Sequence, residues 1–175
     1  PEHPSTAVTV NNLAQVRHEQ GSFAAAESLY RRALATKRRA LGDLHPSVTV
    51  NMNSLATLLA EDLGRVDEAE ALVREALALD RRIFGDRHED VASTLRNLGL
   101  VLRLKGDLDG AVAAYREASA INRAVFGPEH RRVMRTVADL AGALHARGDL
   151  DTAIVLYREA IAGYGRGAGA RRQYH

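Results

Sequence analysis

The sequence predicts an all-α fold, a solenoid of four stacked helix-turn-helix repeats, and three observations lead there. A motif opening on histidine recurs at nearly constant spacing: His3-Pro4, His45-Pro46, His88-Glu89 and His130-Arg131 stand 42, 43 and 42 residues apart. Inside each period the same apolar ladder returns, with large and small residues at fixed places. Glycines punctuate the ladder at matching positions, Gly21, Gly64, Gly106 and Gly148, where a helix must stop and reverse.

Each element follows from that ladder. The first half of a repeat carries Leu13, Leu55, Leu98 and Leu140, each followed by a small residue, Ala14, Ala56, Gly99 or Ala141. Together with Val10 these fall at three- and four-residue steps, the spacing of one face of a helix. The glycine turn comes next, and Asp107 and Asp149 follow it as N-caps. A second helix opens on Phe23, Val66, Leu108 or Leu150. It continues through Ala26, Ala69, Ala111 and Ala153, then Tyr30, Val73, Tyr115 and Tyr157, then Ala33, Ala76, Ala118 and Ala160. Alanine at fixed positions lets paired helices approach closely, while Leu and Tyr between them fill the space toward the neighbouring repeat. The first three repeats close on Leu41-Gly42, Phe84-Gly85 and Phe126-Gly127. One extra residue between Leu55 and Gly64 falls late in the first helix of repeat two or in its turn. Arg17 replaces the leucine of positions 59, 102 and 144, and Ser119 replaces the aliphatic residue of positions 34, 77 and 161, so the core is uneven at its edges. The array is expected to span 1–164, with repeats at about 3–44, 45–87, 88–129 and 130–164. The last helix is expected to break at Gly163, Gly165 and Gly167, leaving 165–175 as a flexible Gly- and Arg-rich tail.

The ladder L-A-x6-G-x4-A-x3-Y-x2-A resembles the tetratricopeptide repeat, and the 42-residue period with its His-Pro lead resembles the kinesin light chain subtype. The likeness covers about Pro4 to Gly163. It implies a right-handed α-solenoid whose concave groove is lined by the first helix of each repeat, and a module for protein–protein interaction or scaffolding. On that stripe stand Asn11, Asn12 and Gln15 in repeat one, Asn53 in repeat two, Arg96, Asn97 and Arg103 in repeat three and Arg135 in repeat four. An amide bonds a peptide's N–H and C=O together, and a guanidinium takes a carboxylate bidentately. Members of this family hold acidic or carboxylate-ended peptides in this way, so an acidic peptide is the expected ligand. The rival reading is a self-associating structural array, or the sensor segment of a larger multidomain bacterial regulator, with no peptide in the groove. The chain opens in mid-motif and without methionine, as a segment of a longer protein would. Val8, Val10 and Val16 at one end and Ile154, Val155, Leu156, Tyr157 and Ile161 at the other lack an obvious polar cap, so homo-oligomerisation through the ends is a further expectation.

Composition narrows the remaining classes. Among 175 residues, 46% hydrophobic and 26% charged, there is no cysteine, which removes disulfides, thiolate metal sites and cysteine nucleophiles. No apolar run reaches the roughly 20 residues of a membrane span, and a cytoplasmic chain without membrane partner is expected. Net charge is only +2, and 22 arginines against two lysines is the bias of a GC-rich bacterial genome. Arg31, Arg74, Arg116 and Arg158, with Arg38, Arg81 and Arg123, recur beside Glu75, Glu117 and Glu159 and read as an ion-paired outer face. Eight aromatics, three of them ladder tyrosines, offer no stacking platform, which disfavours nucleic acid. Histidines one repeat apart cannot converge on one ion and are expected to start helices instead. The loose glycine pattern Gly163-Tyr164-Gly165-Arg166-Gly167-Ala168 follows a helix rather than a strand, and no nucleophile or Walker motif occurs. No catalytic residue, metal site or cofactor is expected, and the chain is read as no enzyme.

Overall fold

In the computed structural model residues 4–171 are described, with side chains described from 6 to 165. Among the described residues there are eight helices and no strand, arranged as four helix-turn-helix repeats. They are α1 (Pro4–Glu19), α2 (Phe23–Leu41), α3 (Pro46–Glu61), α4 (Val66–Phe84), α5 (Glu89–Lys105), α6 (Leu108–Phe126), α7 (Arg131–Arg147) and α8 (Leu150–Arg171). The chain divides into two units, one ending at Gly85 and the other beginning at Asp86, with two repeats in each. In the first unit α1 packs on α2 and α3 on α4, and α2 lies against α3. In the second α5 packs on α6, α7 on α8 and α6 on α7, and α5 also touches α7.

Local chemistry sets the helix ends. Gly106 and Gly148 take φ of 89° and 91°, left-handed values that cost a side chain energy and glycine nothing. There the backbone N–H groups of Gly106 and Asp107 turn back to Arg103 and Leu102 carbonyls at 3.1 and 2.9 Å, satisfying orphaned acceptors of α5. Asp107 then caps α6, accepting from the Gly110 N–H at 2.9 Å. The recurring histidines are caps of the same kind. The Nδ1 atoms of His45, His88 and His130 accept from the backbone N–H of Ser47, Asp90 and Arg132, each at 3.2 Å. His3 lies outside the described residues. The extra residue of repeat two is absorbed after α3, where Leu63 and Arg65 N–H groups reach Leu58 and Leu59 carbonyls at 3.2 and 2.7 Å and Gly64 keeps its positive φ.

Packing explains both the ladder and its departures. Ala26, Ala33, Ala69, Ala76, Ala111 and Ala118 are fully buried at helix crossings. Gly99 replaces the usual alanine because the Tyr115 ring covers it: a Cβ there would stand 2.8 Å from Tyr115 Cε1. Four ladder positions depart from the expected core. Leu13 is 45% exposed on α1, and Leu150, Tyr157 and Ile161 are 53%, 37% and 71% exposed on α8. All sit on helices whose main partner is the other helix of their own repeat, α2 for α1 and α7 for α8. The last helix also differs from the expected break. It runs on through Gly163 and Gly165 to Arg171, so the segment expected as a tail from 165 has helical backbone as far as 171, and 172–175 lie outside the described residues. Gly163 is a contact glycine here, buried against Met134, whose sulfur a Cβ would strike. Glycine in a helix costs about 1 kcal/mol without preventing its hydrogen bonds, and close packing on α7 offsets that cost.

Candidate functional site

The A-helix positions singled out in the sequence divide between the two units. Asn11, Asn12, Gln15 and Asn53 lie on α1 and α3 of the first unit, and Arg96, Asn97, Arg103 and Arg135 lie on α5 and α7 of the second. In the first unit Asn12 and Gln15 are exposed, and Gln15 donates to Glu19 at 3.1 Å. Asn11 is half-buried and its Oδ1 has no hydrogen-bond partner. His18 Nε2 meets Asp62 Oδ2 at 2.7 Å, joining α1 to the turn that holds the inserted residue.

The second unit brings its residues to one place. Arg96 and Arg135 line a cleft of about 210 Å³ together with Ala92, Ser93, Asn122, Arg132 and Thr136. Three helices build it: α5 supplies Arg96, α6 supplies Asn122, and α7 supplies Arg132, Arg135 and Thr136. Its floor is a buried polar pair, with Asn122 Nδ2 donating to Thr136 Oγ1 at 3.1 Å and Thr136 donating in turn to the Arg132 carbonyl at 3.0 Å. Arg96 is not free. Its guanidinium donates to Asp139 at 3.2 Å, and both groups lie half-buried. Arg132 pairs with Glu89 and lies over the Phe126 ring at 5.1 Å, while that ring stacks on His130 at 4.5 Å. Arg135 is exposed and has no carboxylate partner among the described residues. Two of three guanidiniums are thus neutralised, leaving one unmatched positive charge.

Beneath Arg96 and Arg103 lies the Tyr115 hydroxyl, pushed up to about 12 by burial and then by the Asp139 carboxylate, with Arg103 and Arg96 drawing it back. The phenol stays protonated and neutral, so the charge of this face is set by arginines and carboxylates alone. Asn97 is half-buried beside Arg96 in sequence and does not line the cleft.

Reading the stripe alone misses Arg132, Asn122 and Thr136. Arg132 precedes Arg135 by three residues and Thr136 by four, the spacing of one helical face, and that signal was present. Asn122 belongs to a B helix and is brought in only by the packing of α6 on α7. The outer arginines are ion-paired in part: Arg31 bonds Glu27 at 2.8 Å and also reaches Glu68, Arg38 bonds Glu75 at 2.6 Å, Arg74 bonds Glu70 at 2.8 Å and Arg123 bonds Glu159 at 2.6 Å, whereas Arg116 and Arg158 have no acid partner among the described residues. Among the described residues no group of three or more His, Cys, Asp or Glu could hold a metal, and no helix is long and apolar enough to cross a membrane.

Comparison with known proteins agrees with this architecture. The sequence has no match among curated proteins. Crystal structures are similar in fold at low identity. BtubC (BKLC) from P. vanneervenii shares 23% identity with a TM-score of 0.85, over 97% of this chain and 67% of that one. A Podosopora anserina kinesin light chain-type protein with nearly identical TPR-like repeats shares 23% with a TM-score of 0.82, over 95% and 78%. Rap protein complexed with Competence and Sporulation Factor shares 17% with a TM-score of 0.81, over 94% of this chain and 44% of that one. The family model for the tetratricopeptide repeat matches residues 5–62, 47–124 and 92–166, and with its ladder, helix pairs and repeat period this chain belongs to the tetratricopeptide repeat family.

Proposed function

We propose that the chain is a protein-interaction module that binds a peptide bearing acidic side chains on its A-helix face, with one carboxylate seated between Arg96, Arg132 and Arg135. The observation that carries this reading is the cleft of the second unit, where three guanidiniums converge over a hydrogen-bonded polar floor and one positive charge is left unmatched. A carboxylate supplies that one charge and accepts bidentately from a guanidinium. Arg103 and Asn97 of the same unit add side chains that bond a peptide backbone or its flanking acids, and Asn11, Asn12, Gln15 and Asn53 offer amide chemistry of the same kind within the first unit. Family membership supports the interaction role, and the similar fold of Rap protein complexed with Competence and Sporulation Factor supports a bound partner.

Peptide-display selection on the immobilised chain, beside an Arg96→Glu, Arg135→Glu double variant at the same salt, tests the proposal. Acidic peptides should be enriched on the parent and lost on the variant, with helicity unchanged by circular dichroism. Equal enrichment on both would remove the cleft from the reading.

One observation favours self-association as a second reading. Leu150, Ile154, Tyr157, Ile161 and Tyr164 repeat along α8 at alternating four- and three-residue steps, with Ile161 71% exposed and Ile154 47% exposed. The matching residues on α6, Val112, Tyr115, Ser119 and Asn122, are buried where α7 packs on α6. A second copy would supply that cover for α8. Light scattering should then show a mass above the monomer that falls with Ile154→Glu, Ile161→Glu. A monomer in the parent chain would end this reading.

A further inference from the structure

A second recess borders the peptide cleft, and its charge is different. It measures about 670 Å³ and is lined by His130, Arg131, Arg132, Arg135 and Tyr164, with no carboxylate in its wall. Glu89 neutralises Arg132 from α5. Arg131 and Arg135 have no acid partner among the described residues. Two positive charges are therefore unmatched here, against one in the cleft.

The donors are also partly preset. Because His130 Nδ1 accepts the Arg132 N–H as the α7 cap, its ring proton sits on Nε2 and leaves an N–H donor. The Phe126 ring holds His130 by stacking and Arg132 by its face, which restricts both. Tyr164 adds a hydroxyl from α8. Helix α5 begins Glu89-Asp90, as the helix dipole favours, whereas the first turn of α7 carries Arg131 and Arg132 and no acid. Helices α1, α2 and α3 also start without an acid, so what sets α7 apart is the pair of arginines in its first turn, which face the recess.

We propose that this recess binds the dianion of a phosphate monoester, with Arg131 and Arg135 supplying the two matching charges and Arg132, His130 and Tyr164 completing the donor set. A carboxylate would leave one guanidinium unmatched; a monoester carries close to two charges near pH 7 and three acceptor oxygens. The group can arrive on a phosphorylated side chain or on a small molecule, and the recess recognises the same chemistry in either. Arg131 lines only the recess, whereas Arg135 lines both the recess and the cleft, so the dianion and a peptide carboxylate draw on the same guanidinium.

The test is a titration of the ¹⁵N-labelled chain at pH 7.5 and constant ionic strength, following backbone amides and arginine Nε–H signals by NMR. Methyl phosphate, a near-dianion, should move Arg131, Arg132 and Arg135 saturably. Dimethyl phosphate and acetate, both monoanions, should bind at least tenfold more weakly. Arg131→Ala should reduce methyl phosphate affinity at least tenfold, while Arg158→Ala, which removes the same charge from a residue lining neither recess, should leave it unchanged. A blocked phosphoserine tripeptide binding as tightly as methyl phosphate assigns the group to a phosphorylated side chain; tenfold weaker binding of that peptide assigns it to a small phosphate. Equal binding of methyl and dimethyl phosphate, or an unchanged affinity in Arg131→Ala with native helicity, overturns the proposal. No enrichment of acidic peptides on the parent chain, with methyl phosphate binding retained, would instead count against the cleft alone.

Discussion

Two junctions built to one plan solve the same burial problem differently. Where α2 meets α3 in the first unit, the matching positions hold Lys37 and Asn51; where α6 meets α7 in the second, they hold Asn122 and Thr136. All four side chains are buried. In the second unit the pair is bonded at 3.1 Å and Thr136 also donates to the Arg132 carbonyl. In the first, Lys37 Nζ donates to the Ser47 carbonyl at 3.1 Å, and neither polar atom of the Asn51 side chain has a partner. Repeat position therefore dictates that a side chain is buried, not that its polar atoms are satisfied. The second junction adds a hydrogen bond between neighbouring helices and places Asn122 in the floor of the cleft, so the better-satisfied junction is also the one next to the candidate site.

The comparison can be broken first at a single ladder position. Leu144 of α7 is fully buried, while its counterpart Arg17 of α1 is exposed and bonded to Gln20 at 3.1 Å. Leu144→Ala should cost about 2–5 kcal/mol in thermal or urea unfolding, and Arg17→Ala should stay within about 0.5 kcal/mol. Similar losses for both would show that the first unit uses this position as the second does. Next in size, Asn51→Thr copies the second junction into the first. It removes two unpaired buried atoms and should raise stability by about 1–3 kcal/mol, read as a higher midpoint. A lower midpoint would mean that Asn51 is satisfied in solution. Asn122→Ala should lose about 1 kcal/mol, since the Thr136 hydroxyl keeps its bond to the Arg132 carbonyl; a larger loss would show that the pair carries more of the α6–α7 junction than one hydrogen bond.

The smallest effect is a pH dependence. Burial lowers Lys37 below its ordinary 10.5. In the window between that lowered value and 10.5 the unfolded chain binds more protons than the folded one, so this residue makes stability rise with pH. Below the window its charge is a fixed cost. The difference in unfolding free energy between the parent and Lys37→Met should therefore shrink as pH climbs toward 10.5. Burial raises Tyr30 and Tyr115 above 10, and those groups oppose folding stability only at higher pH, in parent and variant alike. A difference independent of pH would place the Lys37 ammonium in solvent.

Much of this fold is legible in the chain because packing in a repeat is local. Ala26, Ala69 and Ala111 mark helix crossings, Gly106 and Gly148 mark reversals, and His45, His88 and His130 mark helix starts, each through contacts within a few residues or with the paired helix. The site is legible only in part. Arg96 and Arg135 are visible as A-helix positions, but their partners are not: Asp139 reaches Arg96 from a position 43 residues on, and Glu89 reaches Arg132 across the same interval. Charge along a sequence says nothing of which cations are already neutralised, and that decides what a cleft can bind.

Periodicity by itself determined the eight helices of the described residues, their pairing into four repeats and most of the core, because an apolar face at helical spacing leaves water by packing on its neighbour. Tertiary structure alone decided three things. It left Leu13 exposed on α1 and Leu150, Tyr157 and Ile161 exposed on α8, carried α8 through Gly163 by close approach to Met134, and gathered Arg96, Asn122, Arg132 and Arg135 from three helices into one cleft. Each depends on contacts between residues distant in sequence, where the ladder constrains the backbone and leaves the pairing of individual charges open.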